Sequence, residues 1–123
     1  MTKPKKRILL VEDDAALNDA FSILLKKEHY TVDSVFNGRE ALEKLTSTVP
    51  DLILLDLLMP IMDGKVFLKN FKNTSKVPII VFSNLDAKTE VNEALALGAT
   101  RYMLKAWASP KELIRVIKDT IGD

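Results

Sequence analysis

Asp56 interrupts an otherwise apolar segment. From Leu52 to Met62 the chain reads LILLDLLMPIM, and Asp56 is its single charged residue. A run such as Leu52–Leu55 is what a parallel strand covered on both faces looks like. An isolated carboxylate at its end costs on the order of several kcal/mol, so a cation is expected beside it. Other polar residues also end apolar runs. Glu12, Asp13 and Asp14 follow RILLV, Ser83 follows PIIVF, and Lys105 follows TRYML. Clustered carboxylates repel one another unless a cation sits among them. Oxygen ligands without His or Cys favour Mg²⁺, Mn²⁺ or Ca²⁺. Mg²⁺, which uses one or two carboxylates plus phosphate oxygens, suits this small set better than a Ca²⁺ cage. A metal, a carboxylate, a hydroxyl and a lysine around one point make a phosphoryl-transfer set. Asp56 is the nucleophile, the metal and Lys105 neutralise the equatorial oxygens, and Ser83 hydrogen-bonds one of them.

That chemistry requires distant residues to meet, and the pattern of elements says how. Arg7–Val11 is a short β-rich run. Leu17, Phe21, Leu24 and Leu25 recur at helical spacing, predicting a helix over 15–28. Tyr30–Val35 alternates like a strand near a sheet edge. Asn37-Gly38 opens a helix through Ala41, Leu42 and Leu45, and Pro50 marks its exit. Leu52–Leu55 is the central strand. Asp63-Gly64 is a turn into a helix with Val66, Phe67, Asn70 and Phe71 on one face. Pro78–Phe82 is a fourth strand. Asp86 is placed to cap a helix carrying Val91, Ala94 and Leu95, with Gly98 suited to end it. Thr100–Leu104 is a fifth strand, and Ser109-Pro110 opens a last helix striped by Leu113, Val116, Ile117 and Ile121.

Five strands alternating with five helices predict an α/β fold, a doubly wound parallel sheet of order 2-1-3-4-5. Ligands bind such sheets at the carboxyl ends of the strands, near the point where strand order reverses. Every polar residue singled out above falls on that edge.

Composition excludes several alternatives. At 123 residues the chain makes one domain. Its 47% apolar and 28% charged residues are the balance of a globular protein, and a net charge of +1 points to no nucleic acid or membrane. The absence of cysteine excludes a disulfide scaffold or thiolate metal site and fits the cytoplasm. No apolar run reaches the length of a membrane span. The basic start, Met1 to Arg7, lacks the apolar core of a signal peptide and reads as a solvated terminus.

The residues together resemble the receiver domain of two-component response regulators, of the chemotaxis single-domain type with a flavodoxin-like fold. The resemblance covers the whole chain, 1–123, from ILLVEDD through LLDLLMPIMDG and IIVFSN to GATRYMLKAW. It implies that Glu12 and Asp13 hold Mg²⁺ (or Mn²⁺), and that Asp56 is the phosphoacceptor and a further metal ligand. It also makes the backbone carbonyl of Leu58 a metal ligand, Ser83 the phosphoryl-contacting hydroxyl, Lys105 the site lysine and Tyr102 an aromatic switch residue. Asp14 is placed for a supporting role. The implied partners are a histidine kinase or phosphotransfer protein and a downstream protein target, with no direct nucleic-acid contact. The implied role is a self-modifying switch rather than a turnover enzyme.

Two departures stand out. The lysine of this family is normally followed by proline in a cis bond, and here by Ala106 and Trp107. A cis bond before alanine costs about 2.5–4 kcal/mol, so Lys105–Ala106 is expected trans with Lys105 still aimed at Asp56. Asn84 stands where a smaller residue is usual, which bears on access to the pocket.

Simpler readings apply to single residues. Asp13 and Asp14 alone would cap a helix. Met59, Met62 and Met103 read as packing residues, His29 as a solvated helix end, and Trp107 as a core cover or a partner contact. Competing functions fit less well. No glycine fingerprint follows strand one for a dinucleotide, and the second acid of a Mg²⁺-dependent phosphohydrolase would fall at Leu58. Asp51 and Asp56 are too far apart for the acid pair of a Toprim-type nuclease. A receiver-like binding module independent of phosphate would be expected to lack one of the acids or the lysine. The face around 87–97 and 100–103 is expected to carry the output. Leu58 and Leu85 are expected at the pocket mouth, where neither can orient a hydrolytic water. The chain ends just after the fifth helix, so no effector domain is expected within it.

Overall fold

The computed structural model describes residues 5–59, 61–84, 87–106 and 108–122. The expectations placed on Leu85, Asp86, Trp107 and the first four residues lie outside them. The order is β1 (Arg7–Val11), α1 (Ala15–Lys27), β2 (Thr31–Val35), α2 (Gly38–Leu45), β3 (Leu52–Leu55), α3 (Gly64–Asn70), β4 (Ile79–Ser83), α4 (Lys88–Ala96), β5 (Arg101–Leu104) and α5 (Pro110–Ile121). All five strands are parallel and lie in the order β2-β1-β3-β4-β5, as the alternation predicts.

The two-residue period of the strands divides the core into two layers. Leu9, Val11, Ile53, Leu55 and Val81 pack against Ala41, Phe67 and Ala94, so α2, α3 and α4 cover one face. Ile8, Leu10, Leu52, Leu54, Ile80 and Phe82 pack against Leu25, Leu113, Val116 and Ile117, so α1 and α5 cover the other. β1 and β3 are buried almost throughout, which is why they read as unbroken apolar runs. Met59 and Met62 pack on the first layer and Met103 on the second, as expected of packing residues.

Side chains cap four of the helices. Asp14 accepts from Leu17 N–H (3.1 Å), Asn37 from Glu40 N–H (2.9 Å), Asp63 from Val66 N–H (3.0 Å) and Ser109 from Glu112 N–H (3.1 Å). Asp14 therefore serves as the cap of α1. At α4 the cap position is Ala87, which makes no side-chain cap bond. The α4 helix ends as predicted, with Gly98 at φ +116° and Ala99 N–H bonding the carbonyl of Ala94 (3.1 Å). His29 ends α1 in the same way at φ +69°, exposed as the sequence reading has it.

Two helix faces differ from expectation. The buried stripe of α1 is Asn18, Ser22 and Leu25, while Leu17 is exposed. In α3 the stripe is Gly64, Phe67 and Leu68, with Phe71 beyond, and Val66 and Asn70 face outward. Gly64 sets that rotation, because a Cβ there would lie 2.7 Å from Leu57 Cα. Strand bounds also move by one residue. β2 starts at Thr31, β4 runs from Ile79 through Ser83, and β5 starts at Arg101.

Candidate functional site

The strand ends bring the acids together. Glu12 directly follows β1 and is 2% exposed, while Asp56 directly follows β3 and is 7% exposed. β1 and β3 are neighbours, and Asp56 N–H donates to the carbonyl of Val11 (3.0 Å). With Asp13, which is exposed, they offer three carboxylate oxygens within 4.8 Å of one another. Asp14 lies beside them without joining the cluster, and its backbone N–H donates to Glu12 Oε2 (3.2 Å). Leu58 is 55% exposed, and its N–H donates to Asp56 Oδ1 (3.2 Å).

Lys105 enters from the end of β5. Its ammonium bonds Glu12 Oε1 (2.5 Å) and Asp56 Oδ2 (3.2 Å). The Lys105–Ala106 bond is trans, as the cost of a cis alanine bond predicts. Lys105 N–H also donates to the carbonyl of Ser83 (3.0 Å), which fixes the ends of β4 and β5 relative to each other. Ser83 is fully buried at the end of β4. Tyr102 is half-buried against the core layer under α4. Burial raises its phenol above the usual value, and a hydrogen bond with Ser83 opposes that rise.

The electrostatics match a cation site. Burial pushes the Glu12 carboxyl up to about 7, against the bonds from Lys105 and Asp14 N–H. Burial disfavours the Lys105 charge, but the bond to Glu12 and the charges of Asp56 and Glu12 outweigh it, so its pKa stands above the usual lysine value. Three clustered carboxylates, with one ammonium bonded to two of them, leave a formal deficit of two positive charges when all are ionised. A divalent ion with oxygen preference meets that deficit, and the residues present fit it.

Sequence reasoning missed Asn18. It is 2% exposed, and its amide donates to the carbonyls of Glu12 and Val35 (3.0 Å each), tying the ends of β1 and β2 together behind the acids. The signal was a polar residue on the stripe 18-21-22-25. Leu17 and Leu24 fit a helical period equally well and mask that stripe in the sequence. Asn84 is exposed and borders a cavity of about 210 Å³ with Lys105, Phe21, Phe82 and Leu113.

A family model described as the response regulator receiver domain matches residues 8–118. The chain is 37% identical over 123 residues to protein-glutamate methylesterase/protein-glutamine glutaminase 1 of Methanosarcina acetivorans, covering 92% of this chain and 35% of that protein. It is 33% identical over 118 residues to the DNA-binding response regulator MtrA of Mycobacterium tuberculosis, covering 96% of this chain and 51% of that protein. Its fold is similar to a CheY-like receiver domain protein from Methanospirillum hungatei (TM-score 0.89, 28% identity, 96% of this chain and 94% of that one). It is also similar to chemotaxis protein CheY4 of Vibrio cholerae (TM-score 0.87, 28% identity, 95% and 99%). The chain thus spans about a third to a half of these two curated relatives.

Proposed function

Because the chain belongs to the response regulator receiver domain family, we propose that it is a phosphorylation-activated switch whose phosphoacceptor is Asp56. The observation that carries this reading is the cluster of Asp56, Glu12 and Asp13 carboxylates, two of which, Asp56 and Glu12, bond the ammonium of Lys105. A histidine kinase or phosphotransfer protein presents a phosphohistidine. A carboxylate oxygen of Asp56 attacks the phosphorus, and the P–O bond forms as the P–N bond breaks. The electron pair of that bond stays on the imidazole nitrogen. Charge spreads over the equatorial oxygens, where the Lys105 ammonium and the Ser83 hydroxyl receive it. Glu12, Asp13 and Asp56, with the Leu58 carbonyl, would hold a Mg²⁺ ion, which would supply the remaining positive charge. The product is the modified protein itself, which makes the chain a switch rather than a turnover enzyme.

The output follows from the new charge and acceptor oxygens at Asp56. The Ser83 hydroxyl acts on the Tyr102 phenol, and Ser83 and Lys105 join the ends of β4 and β5, so a move of Ser83 toward the phosphoryl group would be felt at β5 and α4. A downstream protein reads that face. No described helix is long and apolar enough to cross a membrane, and the reading places the chain in the cytoplasm beside its donor. The test is labelling by acetyl phosphate. Labelling should require Mg²⁺ and vanish in Asp56→Ala, and undiminished, hydroxylamine-resistant labelling of that variant contradicts the reading.

A further inference from the structure

Helix α4 is the least anchored helix among the described residues. Ala94 is its one buried residue, Leu95 is 41% exposed, and its Ala87 cap makes no side-chain bond. Something else must hold it in place. Lys65, in the first turn of α3, forms ion pairs with Glu90 and with Glu93 (3.2 Å), both on α4. Glu90 and Glu93 are one turn apart on the same face, so one ammonium meets two carboxylates.

Lys65 is itself rigidly tied to the phosphoacceptor loop. The preceding residue, Gly64, donates its N–H to the carbonyl of Leu57 (3.0 Å). A Cβ on Gly64 would lie 2.8 Å from the carbonyl oxygen of Asp56, so α3 starts in direct contact with the backbone that carries the acceptor. A cavity of about 250 Å³, lined by Leu57, Leu58, Asp63, Lys65 and Glu90, lies at this junction. Glu90 and Lys65 also act on the Tyr102 phenol, in opposite senses and after the larger effect of burial.

We propose that Lys65 with Glu90 and Glu93 forms an electrostatic latch between the Asp56 loop and α4, and that this latch sets how readily the output face changes when Asp56 is modified. It rests on the reading of Asp56 as phosphoacceptor. With the latch closed, α4 holds the arrangement in which Lys65 pairs with Glu90 and Glu93 and Tyr102 is half-buried beneath it. With it open, the packing of Ala94 and its neighbours is the main anchor of α4 among the described residues, and α4 leaves that arrangement more often.

The test compares the full chain with Lys65→Met, with Glu90→Gln/Glu93→Gln, and with the charge swap Lys65→Glu/Glu90→Lys/Glu93→Lys. Amide chemical shifts of α4 and β5 are recorded with Mg²⁺, before and after adding beryllofluoride. Opening the latch should shift the α4 amides of the free protein and change the apparent beryllofluoride affinity at least threefold. Screening by high salt should move the unmodified chain the same way. The swap should return shifts and affinity toward those of the unmodified chain. Unchanged α4 shifts and unchanged affinity in both Lys65→Met and the double Gln variant overturn the latch. An unmodified chain that fails to bind beryllofluoride instead overturns the reading of Asp56, and the α4 shifts of the free variants still judge the latch.

Discussion

The ammonium of Lys105 lies 3.2 Å from Oδ2 of Asp56 although no proline follows it. The aim of the side chain comes from elsewhere. Lys105 N–H is bonded to the carbonyl of Ser83, and the ammonium is drawn between two buried acids. The long lysine stem absorbs the difference in backbone geometry that alanine brings.

Lys105→Gln should therefore separate two properties. Labelling by acetyl phosphate should fall at least about tenfold, because a positive charge is lost where transition-state charge develops. Mg²⁺ affinity, followed by calorimetry, should rise, since the acids lose the cation already among them. Weaker Mg²⁺ binding in this variant would mean that Lys105 organises the acids rather than competing for them.

Glu12 should make stability depend on pH when no divalent ion is bound. Burial raises its carboxyl from the usual 4.5 to about 7. Between those values the unfolded chain has released the proton and the folded chain still holds it, so this group lowers stability as pH rises through the window. A divalent cation held there would favour the ionised form and remove the penalty. Added Mg²⁺ should raise the melting temperature more at about pH 8 than at about pH 5, and Glu12→Gln should abolish the difference. Equal gains at both pH values would contradict this account.

Gly64→Ala should destabilise the fold and disturb the site together. The added Cβ meets the backbone of Leu57 and Asp56 at 2.7 and 2.8 Å, and neither is a flexible side-chain end. Overpacking of this kind costs about 1–3 kcal/mol. Denaturant unfolding should show that loss, and Mg²⁺-dependent labelling should slow well below the melting temperature. Wild-type labelling would show that the loop relaxes without moving Asp56.

His29→Gly should act in the opposite direction. His29 sits at φ +69° beyond the end of α1, where a side chain carries a steric cost and glycine carries none. Its side chain is exposed. Unfolding measurements should show a gain of about 1 kcal/mol, with labelling unchanged. A loss would mean that the imidazole contributes contacts worth more than the strain.

The strands and their order were legible because apolar runs such as RILLV and LILL admit few alternatives once helices alternate with them. Glu12, Asp56, Ser83 and Lys105 stood out because each ends such a run, and the fold brings them to one edge. The buried faces of α1 and α3 were not legible. Asn18 and Ser22 are polar yet face inward, and the rotation of α3 is set by a close approach at Gly64 that only the packed structure shows. The Lys65 pairs with α4 were invisible for a similar reason: they join residues 25 and 28 positions apart, and nothing in the spacing marks three surface charges as partners.

The central claim is that the phosphoryl group is carried by Asp56. Reduction of the acetyl phosphate-treated protein with borohydride converts a phosphorylated aspartate to homoserine, which tandem mass spectrometry locates by residue. The account predicts homoserine at position 56 in the presence of Mg²⁺ and none after chelation. Homoserine at another position, or a phosphorylated protein that yields none, would contradict it.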